Sequence, residues 1–165
     1  MSEIFLRNLA ATDRPVIARL LRDSQVFRPS EIAIGLELFD ETLMPGPSTD
    51  YRWIIAEKSA EMIGFACYGS VPLTEGTYDL FWITVKRGSV GVGSILERTV
   101  VDRLQSIGAR WLIVETSSRP GFDRAHAFYL KRGYVLMTRM ADYYRSSEDR
   151  CIYGKRLDVS QPDGI

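Results

Sequence analysis

Apolar positions along this chain repeat with a period of two in some stretches and at helical spacing in others, and the breaks fall at glycine, proline and short polar clusters. Ile4 to Asn8 predicts a first strand. Thr12-Asp13 then supply a helix N-cap, with Pro15 in the tolerated first turn and Val16, Ile17, Leu20 and Leu21 on one face. Pro29-Ser30 opens a second helix whose Ile32, Leu36, Phe39 and Leu43 recur at helical spacing until Pro45-Gly46-Pro47 stops it. Tyr51 to Glu57 and Met62 to Val71 read as strands joined by the polar turn Lys58 to Glu61, an antiparallel hairpin.

The next strand, Asp79 to Val85, meets the glycine-rich turn Gly88-Ser-Val-Gly91-Val-Gly93, which opens directly into a helix. Ile95, Leu96, Thr99, Val100, Leu104 and Ile107 form its apolar stripe, and Gly108 is the C-cap. Trp111 to Thr116 is a strand again, and a strand, helix, strand unit of this size closes as a right-handed parallel crossover. Asp123 to Arg132 is a short helix ended by Gly133, and strands near Tyr134 to Met140 and Cys151 to Leu157 complete the order. The expected class is therefore α/β of the mixed α+β kind, a mostly antiparallel sheet of about seven strands with one parallel crossover and about four helices. A doubly wound nucleotide fold would need more βα units. No repeat, low-complexity tract or linker interrupts the chain, so residues 1–157 read as one domain and residues 158–165 as a disordered tail.

A length of 165 residues with 45% hydrophobic and 25% charged positions suits one globular domain. Lysine plus arginine and aspartate plus glutamate number 21 each, which removes the bulk electrostatic argument for a nucleic acid or membrane partner. No apolar run approaches a membrane span, and the start Met-Ser-Glu-Ile-Phe-Leu-Arg lacks the features of a signal peptide, so a cytoplasmic protein is expected. Cys67 and Cys151 fall in strands without a Cys-x-x-Cys pair or a neighbouring histidine, and read as buried thiols; no metal is expected. His126, between Ala125 and Ala127, reads as a surface or capping residue before a catalytic one.

The strand-to-helix junction carries the chemistry. Glycines let the backbone turn sharply and approach a ligand, and the N–H groups and positive dipole end of the helix then face an anion. A phosphorylated ligand fits. A dinucleotide fingerprint opens in the same way, and Glu115 stands near the place of its ribose-binding acid, but Leu96 replaces the third glycine as part of the apolar stripe. A tight turn without a ligand is the bland alternative.

With Ala127-Phe128-Tyr129-Leu-Lys-Arg-Gly133-Tyr134 one helix later, the chain resembles the GCN5-related N-acetyltransferase (GNAT) superfamily over roughly Ile4 to Leu157, in a bacterial branch of unassigned acceptor. The resemblance implies that acetyl-CoA is the cosubstrate and that its pyrophosphate is held by the glycine turn. It places the pantetheine where the strand from Asp79 splays from that beginning at Trp111, with the thioester oxygen near Ile83, Thr84 and Val85. The family usually has Gln or Arg three residues before the first glycine of its Gly-x-Gly; here that residue is Gly88, and the strand enters the turn with fewer intervening residues. Main-chain donors across Val90, Gly91, Val92, Gly93 and Ser94 need no side chain, and Arg87 can replace the missing contact.

In the family's chemistry, an amine attacks the thioester and the sulfur leaves with a proton. Tyr129 stands at the family's tyrosine position and is the expected general acid, since a phenol of pKa about 10 is protonated at neutral pH and can serve a thiolate whose parent acid has a pKa of about 8.5. A lysine-like amine, of pKa about 10.4, is almost wholly protonated at neutral pH, so a base helps; Glu115 and Asp79 are the candidates, Glu115 preferred. Trp82, Tyr143 and Tyr144 are candidate walls of an acceptor pocket, shaped further by the segment Ile32 to Pro47 and a loop from Asp142 to Arg150. The expected function is transfer of acetyl from acetyl-CoA to a primary amine of a small molecule or protein, with a homodimer through sheet edges as a possible assembly. A catalytically silent acetyl-CoA-binding domain, acting as a sensor or complex subunit, is the alternative.

Overall fold

The computed structural model describes residues 3–44 and 50–158. Seven strands form one sheet: β1 (Ile4–Arg7), β2 (Arg52–Lys58), β3 (Glu61–Ser70), β4 (Thr77–Val85), β5 (Trp111–Ser117), β6 (Val135–Arg145) and β7 (Glu148–Arg156). Their order is β1-β2-β3-β4-β5-β7-β6, with β4 and β5 parallel. Four helices complete the mixed fold: α1 (Arg14–Asp23), α2 (Pro29–Leu43), α3 (Val92–Ser106) and α4 (Asp123–Lys131). Among the described residues no helix is long and apolar enough to cross a membrane. The chain packs as two compact units, Met1–Gly69 with Phe81–Val100 and Ser70–Leu80 with Val101–Ile165.

In the first unit, the faces that the apolar periods marked out are buried together: Ile17, Leu20 and Leu21 of α1, Phe39 of α2, Trp53 of β2 and Phe65 of β3. Each such side chain contributes about 1.5–3 kcal/mol through the water it sheds. Trp53 crosses Phe39 edge-on at 5.9 Å, and its indole N–H donates to Thr42 Oγ1 at 2.9 Å, so the one polar atom of the ring has a partner. The residues Pro45-Gly46-Pro47, expected to end α2, lie outside the described residues; the helix itself ends at Leu43.

The start of α1 differs from the sequence reading. Ala11–Asp13 forms a short 3-10 turn, and the Asp13 side chain points backward instead of capping α1, accepting the Ala10 N–H at 2.8 Å. Arg7 explains the direction, because its guanidinium grips both Asp13 oxygens at 2.8 Å. The β2–β3 hairpin is as expected, but its turn residues Ser59 and Ala60 both have positive φ, 52° and 60°. A type I′ turn demands this, and an alanine there suffers a Cβ clash. Ala60→Gly is therefore expected to raise stability by about 0.5–1 kcal/mol in urea unfolding, against the small entropic cost of the added glycine.

In the second unit, β4 pairs with β5 in parallel over Thr77–Asp79 against Trp111–Ile113. β5 continues to Ser117 and is paired throughout with β7. The β6–β7 hairpin is longer than expected. Asp142 to Arg150 reads as a loop by composition, yet β6 runs to Arg145 and β7 begins at Glu148. Its polar groups pair across the strands: Arg139 with Asp149 at 2.6 Å, and the Asp142 N–H with Asp149 Oδ1 at 3.0 Å, where Asp142 makes a positive-φ kink. The tail expected from residue 158 lies, beyond Asp158, outside the described residues.

Candidate functional site

The glycine turn belongs to the first unit. The Ser89 N–H bonds to the Lys86 carbonyl at 3.0 Å, closing a four-residue turn whose third residue, Gly88, has φ +81°. A type II turn needs that sign, which favours glycine. Gly91 repeats it at φ +81°, and a Cβ on either glycine would meet nothing within 4 Å. Val90 between them is 94% exposed. Helical bonding begins only when the Ile95 N–H reaches the Gly91 carbonyl at 3.1 Å, so the N–H groups of Val92, Gly93 and Ser94 are unbonded to any described residue. Three converging donors at the positive end of a fifteen-residue helix make an open anion cradle. Buried Val92 and Leu96 anchor the helix beneath it, which is why Leu96 could not serve as a third fingerprint glycine. Arg87 stands at the rim, its guanidinium donating to Gln25 Oε1 at 2.9 Å.

Of the other expected contacts in this unit, Thr84 is buried, and its Oγ1 has no hydrogen-bond partner among the described residues. Ile83 and Val85 flank it on β4, half-buried. Trp82 is packed into the core. Its ring meets Phe27 edge-on at 4.9 Å and lies 3.1 Å from the point a Cβ on Gly35 would occupy, so part of it serves as packing and cannot wall a pocket.

The second unit holds the carboxylates. Register pairs Asp79 with Ile113, and the two-residue period of β5 puts Glu115 on the same face. Glu115 is held on both oxygens: Oε1 accepts from the Tyr144 hydroxyl at 2.6 Å, and Oε2 from Arg150 Nη2 at 2.7 Å. The Arg150 guanidinium also lies over the Tyr143 ring, 4.9 Å from its centre, and Tyr143 meets Tyr144 edge-on at 5.0 Å. Burial raises the Asp79 carboxyl above its ordinary range, the Glu115 charge adds to this, and Arg150 opposes it. Burial and the Glu115 hydrogen bond likewise push the Tyr144 phenol upward, so it remains a donor. Sequence reasoning singled out both carboxylates and both tyrosines but missed Arg150, which its polar surroundings disguised as loop.

Tyr129 lies on the other face of β5. Thr116 Oγ1 meets His126 Nε2 at 2.9 Å, which fixes α4 on the Thr116 side, and Tyr129 follows one turn later. It is 5% exposed, with its ring 5.3 Å from Tyr134 and 6.1 Å from Tyr153. His126 is not the surface residue expected: it packs against Tyr153 at 5.2 Å, and burial lowers its pKa, which keeps it neutral at pH 7. A shallow cavity of about 350 Å³, lined by Glu75, Tyr78 and Arg110 among others, lies at the N-terminal ends of β4 and β5, away from Glu115 at the far end of β5.

A mixed seven-stranded sheet in which a glycine turn feeds the crossover helix defines an acetyltransferase-type fold. The chain belongs to the GNAT family: it is 33% identical to a protein of Desulfovibrio desulfuricans assigned to that family, over 94% of this chain and 99% of that one, with a TM-score of 0.89. At 20% identity it shares the fold of the ribosomal-protein-S18-alanine N-acetyltransferase from Escherichia coli, covering 99% of both chains with a TM-score of 0.76. Salmonella typhimurium yncA, solved with its cofactor acetyl-CoA, shares it at 15% identity, 99% and 100% coverage and a TM-score of 0.72. No family model and no curated protein matches the chain.

Proposed function

We propose that this protein is an N-acetyltransferase that moves the acetyl group of acetyl-CoA to a primary amine by direct attack in a ternary complex. The observation that carries this reading is the row of three unbonded N–H groups behind two positive-φ glycines, open on the outside, where an anionic group such as a pyrophosphate can dock. Val92, Gly93 and Ser94 would hold that group, with Gly88, Val90 and Gly91 shaping the turn and Arg87 adding charge at its rim. Main-chain groups of Ile83, Thr84 and Val85 are assigned to the thioester.

In the transfer, the acceptor nitrogen bonds to the acetyl carbon as the carbon–sulfur bond breaks. Tyr129 gives its hydroxyl proton to the departing sulfur, and the amine loses its proton to a carboxylate on the face of Asp79 and Glu115. Tyr143 and Tyr144 stand beside those carboxylates and are assigned to acceptor binding.

Calorimetric titration tests the cradle without needing the acceptor. Acetyl-CoA is expected to bind in the micromolar range and NAD not at all. Gly91→Val places a branched side chain at positive φ and in the open space of the turn, and is expected to weaken acetyl-CoA at least about 10-fold with an unchanged fold. Equal affinity of the variant, or preference for NAD, would end this assignment. The direct entry of β4 into the turn at Gly88 also suits a domain that binds acetyl-CoA without turning it over; release of CoA in the presence of a polyamine, an aminoglycoside or a peptide with a free N-terminus separates the two.

A further inference from the structure

Two carboxylates share one face of the second unit, and their surroundings differ in kind. Both oxygens of Glu115 accept short hydrogen bonds, one from a phenol and one from a guanidinium. Asp79 is half-buried, and burial and neighbouring charges, with no hydrogen bond, are what act on its carboxyl. We propose that Asp79 takes the proton from the acceptor amine, and that Glu115 is a positioning residue, pinned by Tyr144 and Arg150 so that its negative charge faces Asp79. This assignment rests on the transferase reading and reverses the preference that sequence alone suggests.

The argument is one of what each proton would displace. A proton on Glu115 would strip Arg150 of its counter-ion, while the Arg150 Nε is buried without a partner and its guanidinium is already committed to the Tyr143 ring. Both Glu115 oxygens already accept a hydrogen bond, so a proton there must displace one of two donors. A proton on Asp79 displaces nothing. It relieves repulsion from Glu115, and burial already favours the neutral acid. The groups that set its charge are Glu115 on β5, Arg150 on β7 and, through Glu115, Tyr144 on β6. Groups on three strands thus set the charge around Asp79, and burial with the Glu115 charge outweighs Arg150 and lifts the carboxyl above its ordinary range.

The proton count closes. An acceptor ammonium gives one proton to an Asp79 oxygen, the nitrogen attacks, the second nitrogen-bound proton leaves to water, the sulfur takes its proton from Tyr129, and both side chains recover their states through solvent.

The test pairs a spectroscopic readout with turnover. Side-chain ¹³C titration of the whole protein, with Asp79→Asn identifying the resonance, should show Asp79 ionising above the ordinary aspartate range and moving to lower pH in Glu115→Gln. With an amine that supports CoA release, Asp79→Asn should lower kcat about 100-fold and remove the acid limb of the pH profile. Glu115→Gln should keep that limb, displaced to lower pH, with kcat reduced less than 10-fold. An Asp79 that ionises in the ordinary range, or an acid limb lost with Glu115→Gln and kept with Asp79→Asn, overturns the proposal. If no amine releases CoA, the transferase reading fails, and the titration still decides whether Glu115 holds the Asp79 proton in place.

Discussion

Replacing Tyr129 with phenylalanine is expected to lower the rate of acetyl transfer by about 100-fold or more, about 2.7 kcal/mol of barrier, while acetyl-CoA affinity changes little. The departing sulfur would otherwise leave as a thiolate, and a proton supplied in the transition state removes that charge. Phenylalanine keeps the ring that packs against Tyr134 and Tyr153, so the 5% exposure of the site is preserved and only the hydroxyl is lost. The loss should therefore appear in kcat, with KM close to wild type. Single-turnover CoA release measures it directly. Undiminished turnover would remove Tyr129 from the proton path.

Asp13→Asn is expected to cost about 2–3 kcal/mol of folding stability at pH 7. Asp13 is 5% exposed and accepts three hydrogen bonds, two from Arg7 and one from the Ala10 N–H. Burial acts to raise its carboxyl, but those bonds outweigh it and hold the group below the usual carboxylate range. Asparagine keeps the shape, loses the charge and turns an amide donor toward a guanidinium that can only donate. Because the folded value is depressed, the stabilisation is complete above the unfolded carboxylate range and disappears as pH falls through the folded value. The difference between wild type and variant in urea unfolding should hold steady above about pH 5 and shrink below about pH 4. A difference independent of pH would mean that the carboxylate's charge contributes nothing.

The readable parts of the sequence were those in which one face is buried. The stripe Leu96, Val100, Leu104 of α3 follows directly from a core that accepts one side of the helix, while β2 and β3, buried on both faces, read as near-continuous apolar runs. The glycine turn was legible for another reason: positive φ at Gly88 and Gly91 is a main-chain requirement that few other residues meet. What escaped were partnerships between distant positions. Asp13 looked like a cap because its tie to Arg7 is invisible to local pattern, and Asp142 to Arg150 looked like a loop because Arg139 and Asp149 neutralise each other only once β6 and β7 are side by side. Arg150 was overlooked on the same ground, although it is the residue that distinguishes Glu115 from Asp79.

β6 closes one edge of the sheet over eleven residues, with Val135, Leu136, Met137 and Met140 exposed along it. An unpaired ladder of that length and polarity can template other chains, which is the usual route to aggregation. Two features oppose it: register breaks between Leu136 and Thr138 and between Met140 and Arg145, and the polar ion-paired side chains of Arg139 and Arg145 along the strand. Regularising this hairpin for greater stability would remove those irregularities and expose a straighter edge, so the strand that presents Tyr143 and Tyr144 is expected to tolerate straightening poorly.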